Sequence, residues 1–397
     1  MKQNIKQKIC LAGKNDIAVY GLSLLLEYVD KENLCVVCNS TDDGFDTWQS
    51  SLLKMAIENE IAVKTLDECY EINGLIFLSL EFNKIISPNK FVNATLYNIH
   101  FSNLPSYKGM YTSALPLLNG ERMSGVTLHY IDSGIDTGNI IDQLQFTIND
   151  SDTARHLYEK YLIYSKKLLK ENLFKLLSGK VSSYPQTANG STYFSKKEID
   201  YKNLEIDLRR TAQQIKNQIR AFTFPEYQLP KVLGFYVNSA DVSSTKSIEK
   251  PGTLIQSTND TISIATVDYD IILYRDMNYE LLEAATTDAV PKALACIKNG
   301  ANIEYRNGKG WTPLIIASFN GSINVLKLLL SLGVDVNQTN YKGTSPLMYA
   351  MTYYENTRQR LAFDLLLEHG ANIDLRDYRG LSIKDYAKKR AVRDLFL

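Results

Sequence analysis

Tyr97-Asn98-Ile99-His100-Phe101 alternates apolar and polar side chains, the pattern of a strand with one face on a core. The isoleucine and the aromatics then face inward, and the amide and the imidazole share the opposite face. Ser102-Asn103-Leu104-Pro105-Ser106-Tyr107-Lys108-Gly109 follows as a loop punctuated by Pro and Gly. A second strand, Val126 to Asp132, leads into the glycine-flanked turn Gly134-Ile135-Asp136-Thr137-Gly138. An amide to hold a developing oxyanion, an imidazole to take a proton and a carboxylate to orient it are what acyl transfer to an amine requires.

The frame around this stretch reads as alternating strands and helices. Ile9 to Gly13 is a short apolar run, Ala18 to Tyr28 a helical pattern, Leu34 to Cys38 a strand, Leu52 to Asn59 a helix and Leu75 to Ser79 a third apolar run. That alternation predicts an α/β, Rossmann-like domain with a parallel-rich sheet and crossover helices. Ligands of such sheets bind beyond the carboxyl ends of the strands, where Asn98 and His100 fall. Gly13-Lys14-Asn15 lacks the G-x-G-x-x-G spacing, which excludes a nicotinamide site. Thr153 to Ser178 reads as a long amphipathic helix closing the domain. A smaller region follows, with a helix at Ala212–Ala221 and β-prone pieces at Lys231–Tyr236, Gly252–Ile255 and Ile262–Val267.

The end of the chain repeats itself. Gly310-Trp311-Thr312-Pro313-Leu314 returns as Gly343-Thr344-Ser345-Pro346-Leu347 after 33 residues, and Gly300-Ala301-Asn302-Ile303 as Gly333-Val334-Asp335-Val336 after 33. Gly370-Ala371-Asn372-Ile373 follows 37 residues later, which places four extra residues within Tyr354–Arg360. A 33-residue period with Thr-Pro-Leu opening a helix is that of ankyrin repeats. Thr or Ser caps the first helix, Pro sits in its first turn and Gly ends the second. The expected domains are 1–190 (catalytic), 191–275 (a small β-rich subdomain) and 276–397 (all-α ankyrin repeats).

Composition bounds the function. Lys+Arg and Asp+Glu both number 44 in 397 residues, so the chain lacks the basic footprint of a nucleic-acid binder. No apolar run is long enough to span a bilayer, and Met1 to Lys6 lacks the core of a secretory signal, so a cytoplasmic protein is expected. Cys35 and Cys38 have CxxC spacing, but residues three apart on a strand point to opposite faces. No second pair completes a zinc site, so the five cysteines read as buried thiols and no metal is expected. His129, His156 and His369 lack a motif context and read as structural.

Asn98/His100, Leu104-Pro105-Ser106-Tyr107-Lys108-Gly109 and Asp132-Ser133-Gly134-Ile135-Asp136-Thr137-Gly138, in that order and spacing, resemble the folate-dependent formyltransferases over roughly the first 235 residues. The resemblance implies N10-formyltetrahydrofolate as co-substrate, His100 as general base, Asn98 as donor to the oxyanion and Asp136 as partner of the charged imidazole. It also implies a pterin pocket lined by backbone groups near Phe82, Ile86, Asp132 and Gly134. Lys108 in the Leu-Pro loop, with Arg220-Ala221-Phe222 and Phe224-Pro225-Glu226-Tyr227-Gln228 downstream, is similar to the nucleotide-sugar N-formyltransferases. This implies a dTDP-linked amino-dideoxyhexose as acceptor, serving bacterial surface polysaccharide (O-antigen) synthesis; an ankyrin tail on such an enzyme is most similar to the 3-amino-3,6-dideoxyglucose branch, with the 4-amino isomer second.

Lys108, Lys196, Lys197 and Arg220 are candidate acceptor and phosphate contacts; Tyr227 and Gln228 are candidates for thymine or ribose. A homodimer is expected by the same resemblance. The ankyrin tail is expected to bind either a protein or, through Trp311, Tyr349 and Tyr353, a second nucleotide stacked on its aromatics. The opposing reading is a scaffold that works mainly through this tail.

Overall fold

The structure, a computed structural model, describes residues 7–390 and 392–396. It divides into two compact units, one of residues up to Leu204 with Arg220–Phe222, the other of Glu205–Ile219 with Thr223 onward.

The first unit carries β1 (Ile9–Gly13), α1 (Asn15–Tyr28), β2 (Leu34–Cys38), α2 (Leu52–Glu58), β3 (Ala62–Val63), α3 (Leu66–Tyr70), β4 (Asn73–Leu80) and β5 (Asn93–His100). It continues through β6 (Lys108–Gly109), α4 (Leu115–Leu118), β7 (Met123–Tyr130), β8 (Ile140–Thr147), α5 (Ala154–Leu177) and β9 (Tyr193–Phe194). Seven strands form one sheet in the order β3-β2-β1-β4-β5-β7-β8. The first five run parallel, and β7 lies antiparallel between β5 and β8. Strands β1 and β2 are apolar at nearly every position because both faces of a parallel sheet are covered.

One face packs on Cys69, Tyr70, Ile86 and Phe91, with Phe82 and Ile131 at its margin. The other meets α1 so closely that a Cβ on Gly21 would lie 2.6 Å from Leu80 Cδ1. Thr153 starts α5 with a capping box to His156, as its position before the amphipathic run implies.

The cysteines show what register adds to spacing. Cys10 and Cys35 are direct partners across β1 and β2, and Cys69 of α3 brings a third Sγ, all within 4.8 Å of one another. Cys38 is half-buried and stands apart. Burial pushes the Cys10 thiol up, while hydrogen bonds with Cys10 and Cys69 pull the Cys35 thiol down to about 4. No described helix is long and apolar enough to cross a membrane.

The second unit opens with most of α6 (Ala212–Phe222), followed by β10 (Lys231–Val232), β11 (Phe235–Lys246), β12 (Leu254–Ser257), β13 (Thr261–Ile264) and β14 (Tyr269–Arg275). These strands form an antiparallel sheet, β10-β11-β14-β13-β12, with Ile215 and Ile219 of α6 on its core. Paired helices then stack: α7 (Met277–Thr287), α8 (Val290–Lys298), α9 (Pro313–Asn320), α10 (Ile323–Ser331), α11 (Pro346–Thr357), α12 (Leu361–Glu368) and α13 (Ile383–Lys389). Thr312 and Ser345 cap α9 and α11, accepting from Ile315 N and Met348 N.

The four extra residues lengthen α11 to 12 residues against 8 in α9. Compactness thus gives two units where the sequence implies three domains. The small sheet and the repeats join through Arg275 at the end of β14, which pairs at 2.7 Å with the buried Glu280 of α7.

Candidate active site

Register assembles the site. Asn98 of β5 lies opposite Ser79 on β4 and His129 on β7, so all three occupy one face of the sheet. Asn98 Nδ2 donates to His129 Nε2 at 3.1 Å, and His129 Nδ1 donates to the Tyr130 carbonyl at 2.8 Å. These two bonds fix the tautomer of His129 and the way the Asn98 amide points. One amide hydrogen goes to the ring. His129 therefore belongs to the site, a role that reading it as structural misses. The signal available in sequence was its place on the strand leading to Asp136.

His100 is held from both sides. Its Nε2 donates to the Tyr107 carbonyl at 2.8 Å, and its Nδ1 lies 3.5 Å from Asp136 Oδ2. In the neutral ring the proton sits on Nε2, so Nδ1 carries the lone pair that takes a further proton. The resulting imidazolium has Asp136 as its counter-charge. Asp136 Oδ2 also accepts from Gly109 N at 2.9 Å, and Oδ1 lies 3.7 Å from His129 Nε2.

Tyr107 reaches His100 because its backbone is left-handed, with φ 60°. It is held there by its hydroxyl bonds with Glu121 Oε1 (2.8 Å) and Asn119 Nδ2 (3.0 Å) and by its ring against Phe194 at 5.5 Å. Nothing in the local sequence marks that carbonyl.

The turn that carries Asp136 divides its labour between two carboxylates. Asp132 Oδ1 accepts from Gly134 N (3.0 Å) and Thr137 Oγ1 (2.6 Å), which is the usual work of an Asp in a turn. Asp136 is thereby released to face the histidines, although its φ of +54° is costly for a non-glycine residue. Gln186 Nε2 donates at 2.8 Å to the carbonyls of both Asp136 and Gly138 and holds this conformation. A Cβ on Gly138 would lie 1.8 Å from the Tyr130 carbonyl, so the turn admits only glycine there. Ile86 lies in one apolar cluster of the first unit, with Phe82 and Ile131 packed against it.

The other sequence-derived contacts separate. Lys108 is buried, and its Nζ donates to Ser191 Oγ at 3.0 Å. Lys196 and Lys197 are exposed. Arg220 is buried, with Nε donating to the Asp152 carbonyl at 2.8 Å and Nη2 to the Asn149 carbonyl at 2.7 Å. Its guanidinium ties down the 149–152 turn rather than standing open for a phosphate. Tyr227 and Gln228 belong to the second unit, where their amides close a turn on the Phe224 carbonyl, each at 2.8 Å, and the Tyr227 ring is exposed.

In the repeats Trp311 and Tyr349 come together at 4.6 Å, with Phe319 beside them at 5.3 and 5.8 Å. Tyr353 stands apart from this trio: its hydroxyl donates to Gln359 Oε1 at 2.8 Å and its ring fills the space over Gly321.

Burial pushes the His129 imidazole down to about 4, outweighing the nearby Asp136 charge. A base whose folded-state pKa lies below its unfolded value near 6.5 stabilises the fold above that value. The contribution is lost as pH falls from about 6.5 to about 4, on the order of 3 kcal/mol. A His129→Gln variant is expected to flatten the pH dependence of chemical denaturation across that window; an unchanged slope would place the acid sensitivity elsewhere.

Comparison with known proteins follows the same lines. Residues 57–173 match the formyl transferase family, residues 198–280 the formyl transferase C-terminal domain, and residues 281–377 three copies of the ankyrin repeat. The sugar 3N-formyl transferase WlaRD, solved in the presence of dTDP and 5-N-formyl-THF, is 43% identical, with a TM-score of 0.63 over 68% of this chain and 97% of that one. The N-formyltransferase of Helicobacter canadensis, in complex with folinic acid and dTDP-3-aminofucose, is 42% identical, with a TM-score of 0.63 over 68% of this chain and all (100%) of that one.

Among curated proteins, the bifunctional polymyxin resistance protein ArnA of Wigglesworthia glossinidia brevipalpis is 28% identical over 83% of this chain. Methionyl-tRNA formyltransferase of Staphylococcus aureus (strain Newman) is 30% identical over 47% of it. The chain spans 49% of the former and 60% of the latter. The chain belongs to the formyl transferase family, among the folate-dependent N-formyltransferases of sugars.

Proposed function

We propose that this protein moves a formyl group from N10-formyltetrahydrofolate to the amine of a dTDP-linked 3-amino-3,6-dideoxyhexose, with the glucose-configured sugar as first choice. The observation that carries the reaction is the Asn98–His129 and His100–Asp136 arrangement on one strand-end face. The two relatives above 40% identity, one a sugar 3N-formyl transferase and one in complex with dTDP-3-aminofucose, support a 3-amino acceptor.

The folate supplies an activated formyl group when bound. The free hydrogen of Asn98 Nδ2 faces the formyl oxygen as charge gathers on it, and His100 Nδ1 takes the proton of the attacking amine. Asp136 balances the imidazolium and keeps that proton available for the departing folate nitrogen. The product is a formamide on a nucleotide-linked sugar, a building block for surface polysaccharide in a cytoplasmic, dimeric enzyme.

The test is an assay with N10-formyltetrahydrofolate against dTDP-3-amino- and dTDP-4-amino-dideoxyhexoses, UDP-4-amino-arabinose and methionyl-tRNA. Turnover confined to the 3-amino sugars is expected. Turnover on the tRNA or the UDP sugar alone would overturn the acceptor, and turnover on the 4-amino sugar alone would move the reacting amine by one carbon.

A second reading concerns the repeats. The Trp311–Tyr349–Phe319 trio, with Lys309 Nζ 5.8 Å from the Trp311 ring, favours a second nucleotide on this surface over a purely scaffolding tail. Stacking one base on an aromatic is worth about 1–3 kcal/mol. Calorimetric titration with dTDP is expected to resolve two sites, one lost in Trp311→Ala while catalysis at saturating substrate persists. A single site insensitive to Trp311→Ala would remove this reading.

A further inference from the structure

The sheet changes direction at β1: β2 and β3 lie on one side of it, β4 and β5 on the other. The crevice beyond the carboxyl ends of β1 and β4 is where folds of this kind take ligands. The two strand ends are drawn tightly together there, since a Cβ on Gly13 would lie 2.0 Å from the Leu80 carbonyl. Glu81 is the first residue past β4.

Its backbone is unusual. Strand alternation would aim residue 81 to the same face as Ser79 and Asn98. Instead Glu81 takes φ +56°, a conformation that a side chain other than glycine adopts at a cost. Asn39 enforces it from both sides: its Nδ2 donates to the Glu81 carbonyl at 3.0 Å, and its Oδ1 accepts from Asn83 N at 3.2 Å.

The consequence is that the carboxylate swings to the α5 side of the sheet. Tyr158 OH donates there, 2.9 Å from Oε2 and 3.1 Å from Oε1. Gln49 Nε2 donates to the same hydroxyl at 2.7 Å, and Asn15 Nδ2 reaches Oε2 at 3.5 Å. No cation among the described residues forms an ion pair with Glu81, which leaves a carboxylate held rigidly by neutral donors with acceptor capacity to spare. The register of β4 and β5 closes at Leu80↔Ile99, so Glu81 and His100 are each the next residue along their neighbouring strands. Asn98 lies on one side of this edge, and Glu81 stands on the other.

We infer that Glu81 is a specificity-determining residue that grips the acceptor, accepting a hydrogen bond from a hexose hydroxyl next to the reacting amine. The inference rests on the formyl-transfer reading above. With the amine at His100 and the formyl group at Asn98, the sugar ring crosses the edge between β4 and β5, and its adjacent hydroxyl meets the carboxylate. A neutral hydroxyl suits the site because burial has already stripped water from Glu81 and pushed its carboxyl up to about 7 against the opposing pull of Lys14. The groups facing it are Lys14, Asn15 and Asp16 at the start of α1, Gln49 before α2 and Tyr158 of α5.

The experiment is steady-state kinetics on the full chain and on Glu81→Gln and Tyr158→Phe, varying acceptor and folate separately. Loss of a hydrogen bond to a charged group predicts an acceptor KM roughly 10- to 100-fold higher in Glu81→Gln, with kcat and the folate KM within a few-fold. Tyr158→Phe, which frees the carboxylate without removing it, is expected to raise the acceptor KM less. The ratio of acceptor KM between Glu81→Gln and the parent should shrink as pH falls below about 7 and the parent carboxyl protonates.

An unchanged acceptor KM in Glu81→Gln, or acceptor and folate KM rising in step, would overturn the inference while leaving formyl transfer standing. A parent chain that turns over no amine would remove the formyl-transfer reading, and this inference with it.

Discussion

Replacing His100 with alanine is expected to lower kcat by roughly 10²–10⁴-fold, the range typical for loss of a positioned general base. The acceptor KM should move far less, because the imidazole is held by protein atoms rather than by substrate. The Tyr107 carbonyl engages Nε2 at 2.8 Å, while Asp136 Oδ2 stands 3.5 Å from Nδ1 without taking its lone pair. The ring therefore offers the amine proton one acceptor, Nδ1, and alanine removes it. His100→Gln is the sharper control, since it keeps the bond to the Tyr107 carbonyl but cannot take a proton. If His100→Gln retained more than about a tenth of the parent kcat, proton removal at His100 would not limit the reaction.

The second large effect is expected at Asn98. Alanine there removes the amide hydrogen proposed to meet the formyl oxygen, and loss of one such donor costs about 10²–10³ in kcat. The same change strips His129 Nε2 of its donor at 3.1 Å, so part of the loss reflects a ring held through Nδ1 alone. A double-variant cycle of Asn98→Ala with His129→Gln separates the two contributions. If Asn98 acts through the orientation that His129 imposes, the double variant loses much less than the sum of the singles. Strict additivity would mean that the two residues act independently.

These predictions draw on a site only partly visible in the chain of letters. Asn98, His100 and Asp136 stood out as candidates because acyl transfer to an amine narrows the residue types, and because strand alternation puts positions 98 and 100 on one face. His129 did not, since its importance comes from β5 and β7 being antiparallel neighbours in a register that sets it opposite Asn98. Spacing within one strand carries no information about the strand beside it. The Tyr107 carbonyl was hidden for a related reason, as backbone groups have no residue type. Arg220 misled in the opposite sense: an arginine just ahead of Phe224-Pro225-Glu226-Tyr227-Gln228 suggested an anion, yet its bonds go to two carbonyls of its own unit. Charge type reads from sequence, but the partner that satisfies the charge does not.

Periodicity over short distances was sufficient for most elements of the first unit and for the 33-residue repeats, because helices, strands and caps are set by neighbours along the chain. It also set the place of the insertion within 354–360, which the structure takes up by lengthening α11. Long-range pairing determined the rest. It gathered Cys10, Cys35 and Cys69, drew Trp311 to Tyr349 while leaving Tyr353 apart, and turned the Glu81 carboxylate onto Tyr158. The sequence on its own pointed to the reaction through the resemblance its motifs carry, all of them between Asn98 and Gly138. How those groups are oriented, and which further residues hold the acceptor against them, depends on contacts between segments far apart in the chain, which only the folded register creates.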